Sequence, residues 1–121
     1  MAYFEMRSSQ LEVILIKKML IAPMHIHDLL EVVYCRGGEL DITIDDVNYR
    51  LHKNDIAVIC PLVVHSYNVN AGQGVDGVIF IVNTALYPAL GDMMNDACPT
   101  QPVVRAKDVS GAAFYALSAL C

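Results

Sequence analysis

Residues 23–38 read PMHIHDLLEVVYCRGG, and how this stretch is folded decides the architecture of the rest. Taken as extended backbone, it puts His25, His27 and Glu31 at positions of one parity, so the three point to one face of a sheet. Ile26, Leu30, Val32 and Tyr34 take the other face. Imidazole and carboxylate groups converging on one side are the material of a metal site or a polar ligand pocket. Burying them unpaired costs several kcal/mol, roughly 2 to 7 for each neutral polar group, so an inward cluster of three predicts compensating partners.

Working outward, the chain of 121 residues supports one domain with a sizeable core. Its apolar fraction of 55% is high for that size, which predicts covered sheet faces or apolar surface kept for a partner. Net charge is −5 and the eight basic residues are scattered, which argues against direct nucleic-acid binding by these residues. Cys35, Cys60, Cys98 and Cys121 form no CxxC pair, and the expectation is four free thiols in a reducing cytoplasm. The amino terminus lacks a basic-then-apolar signal pattern, and no apolar run reaches membrane-spanning length.

Residues 1–10 are expected to be a loose arm. The run LEVILIKKMLIAP, residues 11–23, predicts one strand or two short ones broken near Lys17 and Lys18, and residues 24–36 predict the next strand. ELDITIDDVNYRL, residues 39–51, alternates apolar and polar residues on both sides of Asp45 and Asp46, the pattern of a hairpin. Asn54 and Asp55 supply a second turn, with Asn54 suited to left-handed backbone. IAVIC (56–60) is a buried strand stopped by Pro61, and on the following strand His65, Tyr67 and Val69 share a face. VIFIVN (78–83) is the last obvious strand. Short strands between turn signals predict an all-β barrel or sandwich. Beyond residue 83, Pro88, Pro99 and Pro102 predict a segment that wraps over the barrel without adding to it. Residues 111–121 carry apolar positions at helical spacing behind the cap candidates Asp108 and Ser110, and the stripe stops in mid-pattern, as if the domain continued.

His25, His27, Glu31 and Gly38 meet every spacing of the first motif of the cupin family, and this chain resembles that family. His65 stands in the place of the second motif's histidine, while Asn54, Leu62 and Val69 replace two glycines and an asparagine of that pattern. Residues 23 to about 83 are similar, more narrowly, to the amino-terminal sensing domain of AraC-type transcription regulators, with the same "I-turn-Y-x-L" hairpin, N-D-I turn and H-S-Y ending. The resemblance implies an all-β cupin jelly roll (a double-stranded β-helix) over residues 11–83, with a short helical C-terminal extension in 84–121 that begins the dimerisation helices. It implies a homodimer that binds a small-molecule effector and touches DNA only through a C-terminal helix-turn-helix domain absent from this chain.

Two uses of the polar cluster stay open. A ligand pocket would be lined by His25, His27, Glu31, Tyr49, His65 and Tyr67, a surface suited to a sugar or a small aromatic or acidic metabolite. Alternatively, His25, His27, Glu31 and His65 hold a divalent metal (Zn, Fe, Mn or Ni), as in a small cupin dioxygenase or sugar isomerase. The expectation is the sensor: a non-enzymatic cytoplasmic domain that requires no cofactor.

Overall fold

A computed structural model of the chain describes residues 3–4, 11–16, 20–26, 29–69, 74–83 and 101–109, with backbone alone for 3–4, 11, 20–26 and 69. Ten strands run through them: β1 Tyr3–Phe4, β2 Leu11–Ile16, β3 Leu20–Ile26, β4 Leu30–Gly37, β5 Leu40–Ile44, β6 Val47–Leu51, β7 Ile56–Ile59, β8 His65–Val69, β9 Asp76–Val82 and β10 Val103–Val104. They form two five-stranded sheets, ordered β1-β3-β8-β5-β6 and β10-β7-β4-β9-β2. Every pairing is antiparallel except β1 on β3. From β2 to β9 the chain changes sheet at every step but the β5–β6 hairpin, the winding of a jelly roll.

This winding corrects the reading of residues 24–36 as one strand. β3 and β4 belong to opposite sheets, so His25 and Glu31 do not share a strand face. The earlier break is equally a change of sheet, from β2 to β3. Strand parity holds only within one strand, and a sequence rich in β-formers gives no sign of where the chain leaves a sheet.

The core fills the space between the sheets. Leu40, Ile42, Leu51 and Ile59 are buried there with Val33, Cys35, Ile79 and Ile81. A second cluster, Tyr34, Ile56, Val78 and Phe80, covers the outer side of β4, β7 and β9 with Val32, Val58 and Val109 against it. The apolar excess is therefore spent on two layers.

Turn chemistry behaves as the residue types require. Asp45 and Asp46 have φ of 50° and 65°, the double left-handed turn that matches strand twist in a two-residue hairpin. Asn54 (φ 71°) is left-handed as expected, and its N–H donates to the Cys35 carbonyl at 2.6 Å.

Three expectations are corrected. The arm contributes strand β1, paired with His25 and Ile26. The segment after residue 83 does add to the barrel, since β10 pairs with β7 through Val103–Ala57 and Val104–Ile56. A two-residue edge strand entered just behind Pro102 is short enough to escape a periodicity argument. Cys60 is disulfide-bonded, with its partner outside the described residues, so four free thiols do not hold; Cys35 is free and buried. The C-terminal helix expected over residues 111–121 lies outside the described residues.

Candidate functional site

Glu31 and His65 come together across the sandwich although they sit on different sheets. Glu31 is the second residue of β4, in register with Ile59 of β7 and Ile81 of β9, and so projects into the apolar interior. His65 opens β8 opposite Ile44 of β5. The His65 Nε2 lies 2.7 Å from Glu31 Oε2, with side chains 0% and 3% exposed. Tyr67, two residues along β8 and so on the same face, donates its hydroxyl to the other carboxylate oxygen, Oε1, at 2.5 Å. The Tyr67 and His65 rings meet edge to face at 6.1 Å.

The imidazole is held from behind. Its Nδ1 lies 2.9 Å from the Val63 carbonyl, and because a carbonyl only accepts, Nδ1 carries the proton. Nε2 then faces a carboxylate oxygen at 2.7 Å. A lone pair and a carboxylate repel at that distance, so something positive lies between them: a proton on either partner, or a metal ion. The Val63 carbonyl fixes one tautomer and leaves the other nitrogen turned toward an acid, the way a metal-ligating histidine is prepared.

The other expected site residues fare differently. The backbone of His25 pairs with that of His65 in the β3–β8 register. The His25 side chain and all of His27 lie outside the described residues. Glu31 and His65 thus fit a cation by donor type and convergence. Among the described residues no group of three or more His, Cys, Asp or Glu gathers as a metal site. Tyr49 is in register with Ile42, which is in register with Tyr67, so the tyrosines occupy one row with Ile42 between them. Tyr49 is half-buried against the core.

A groove of about 380 Å³ lies elsewhere, along Asp41, Thr43, Asn48, Arg50 and Asn68 of β5, β6 and β8, and the expected site residue Tyr49 lines it too, with Ile42. Most of its polar groups are already paired with one another or with a neighbour: Arg50 with Asp41 at 2.8 Å and Glu39 at 3.0 Å, Thr43 with Asn48 at 2.5 Å. Such a ladder of cross-strand pairs is a solvated face. The chemistry is on the other side of the sheet.

Sequence reasoning missed the role of Asp55. Its carboxylate, nearly buried, accepts from the His52 N–H at 2.8 Å, the Ala106 N–H at 2.9 Å and Arg105 Nη1 at 2.9 Å. Burial pushes its pKa up, but these three donors and the Arg105 charge outweigh burial, and the net shift is downward. The clasp seats residues 101–109 beside β7, where the Val58 N–H also donates to the Pro102 carbonyl at 2.8 Å. An acid next to the left-handed Asn54 was the signal available; its partner 50 residues away was not.

Comparison with known proteins agrees with this architecture. The solved structures similar to this chain include a conserved protein of unknown function from Streptococcus pyogenes, with TM-score 0.54 and 19% identity over 64% of this chain and 68% of that one. A Neisseria meningitidis protein matches with TM-score 0.51 and 16% identity over 64% and 79%. A variant of the salicylate 1,2-dioxygenase from Pseudoaminobacter salicylatoxidans matches with TM-score 0.54 and 12% identity, over 67% of this chain but only 24% of the enzyme. At these identities the likeness is one of fold. No curated protein is significantly similar in sequence. The family model described as "Cupin domain" matches residues 12–83, which span β2 through β9 and hold the Glu31–His65–Tyr67 cluster, and the chain belongs to the cupin family.

Proposed function

We propose that this chain is the effector-sensing domain of an AraC-type transcription regulator. It takes up a small molecule, a sugar or small metabolite, inside the cupin container and passes the change to a DNA-binding helix-turn-helix domain outside this chain. The observation that carries the proposal is the buried polar cluster. Glu31, His65 and Tyr67 sit between two apolar sheets, where residues of similar size without charge would pack as well or better. Retaining them makes sense if the interior has a polar ligand to choose.

A route outward supports the relay. Glu31 is in register with Ile59 of β7, β7 pairs with β10, and the Asp55 clasp holds the residues after β10. Effector binding shifts a population between two packings of that C-terminal segment, and hence the pairing of two subunits in a homodimer. The domain is non-enzymatic and cytoplasmic in this reading. Among the described residues no helix is long and apolar enough to cross a membrane.

The test is titration of the purified domain with a panel of sugars and small metabolites, followed by amide exchange. Binding that protects residues 101–109 is the expected result. A ligand that binds yet leaves exchange in that segment and the dimer unchanged defeats the relay.

The anchored tautomer of His65 favours a second reading, a small metal-dependent cupin enzyme such as a dioxygenase or sugar isomerase. There His25, His27, Glu31 and His65 would hold Zn, Fe, Mn or Ni, which would supply Lewis-acid or redox chemistry. Stoichiometric metal together with turnover of a small substrate would establish it against the sensor.

A further inference from the structure

Among the described residues the two sheets end in four edge strands, and three of them are blunted against a further strand. β1 and β10 are two residues long, too short to template another chain. β6 carries Val47, 49% exposed, but Asn48 and Arg50 are exposed polar residues of the same strand, and Arg105 Nη1 donates to the Arg50 carbonyl at 2.8 Å. The fourth edge, β2, has none of these devices. It is six residues long, it pairs only with β9 among the described strands, and its outward side chains Val13 and Leu15 are 40% and 56% exposed. Register makes those two the ends of apolar rows across the outer face of the sheet. One row runs Val13–Phe80–Val32–Val58, and the other Leu15–Val78–Tyr34–Ile56. Phe80, Val78, Tyr34 and Ile56 are buried, so both rows are covered along their length and bare at the β2 end.

We propose that the open edge of β2 pairs antiparallel with β2 of a second copy of this chain, about a two-fold axis at Ile14, so that the two sheets become one continuous sheet. This gives the homodimer of the sensor reading a subunit surface, and it rests on that reading for the dimer alone, not for the effector. A second copy fits because the strand is complementary to itself. With Ile14 opposite Ile14, Val13 lies opposite the partner subunit's Leu15, and Leu15 opposite the partner subunit's Val13. Each apolar row then runs on into the other row of the second copy, and the bare ends cover one another. Glu12, the one charged residue of β2, falls opposite an isoleucine, so the axis brings no carboxylate against a carboxylate. Backbone N–H and C=O groups on the side of β2 away from β9 form the ladder. An isologous contact of this kind closes at two subunits, unlike the open-ended stacking that an apolar edge otherwise invites.

Sedimentation velocity of the whole chain across a concentration series tests the surface, and the wild type is expected to be a dimer. Val13→Lys combined with Leu15→Lys sets lysine against lysine at both facing pairs and is expected to weaken dimerisation on the order of a hundredfold. Val13→Lys combined with Leu15→Glu sets lysine against glutamate at the same pairs and is expected to restore most of the loss, which a surface other than this register would not do. Both positions are exposed in the single subunit, so the variants should keep the wild-type circular dichroism. In the unaltered chain, β2 amides on the side away from β9 are expected to exchange more slowly as concentration rises, a readout that needs no variant. A dimer untouched by the double lysine change, a lysine–glutamate variant as weak as the double lysine one, or unchanged exchange along β2 overturns this surface and leaves the sensor reading to dimerise elsewhere. Association past the dimer overturns the closed two-fold contact. A monomeric wild type overturns the proposal and takes the homodimer out of the sensor reading as well, while effector titration still judges the container by itself.

Discussion

At the scale of single residues, the Glu31–His65 pair sets stability against specificity. Removing one partner strands the other in a dry interior. Glu31→Ala is therefore expected to cost roughly 3 to 5 kcal/mol in chemical denaturation, more than an ordinary surface change by far. Replacing both, as Glu31→Leu with His65→Leu, is expected to recover most of that loss, and the double variant should show no ligand binding by titration. A double variant as unstable as Glu31→Ala would mean that the pair holds the fold together and is not kept for a ligand. Asp55 makes a pH prediction with a definite sign. Its pKa in the fold lies below the ordinary 3.8, so its stabilisation is complete above that value and is lost as pH falls through the lower folded value. Asp55→Asn should flatten the acid limb of a stability–pH curve, and its wild-type-minus-variant difference should shrink below about pH 4.

Among the elements, the β5–β6 hairpin and the β10 strap behave oppositely. The hairpin is local: Asp45 and Asp46 both carry positive φ, and Asp46→Gly should raise stability by about 0.5 to 1 kcal/mol in urea melts by relieving the second of them. The strap is long-range. It is two residues of ladder and one carboxylate clasp, so Arg105→Ala should speed amide exchange at Val103, Val104 and Ala106 and leave β4 and β9 protected. Global loss of protection would show instead that the strap is part of the core.

For the molecule as a whole, the sandwich is closed by pairs reaching across it: Glu31 with His65 and Tyr67 inside, and the second apolar layer outside β4, β7 and β9. The disulfide at Cys60 adds a covalent tie at the end of β7. Alkylation of the unfolded protein followed by mass spectrometry should leave Cys60 unlabelled until a reductant is added; labelling at Cys60 without reductant would return the chain to the all-thiol expectation.

The strands, their alternation, the left-handed Asn54 and the spacing of His25, His27, Glu31 and His65 could be taken from the amino acids alone. Each is a property of neighbouring residues: period, turn chemistry or motif spacing. Which sheet a strand joins is not such a property. That is why residues 24–36 looked like one strand and are divided between two sheets, and why Glu31 meets His65 across the interior instead of beside His25 along a strand. The clasp of Asp55 on Arg105 likewise exists only once distant segments are brought together. Burial removes water as a competitor for those polar groups, and only the folded chain determines which partner takes its place.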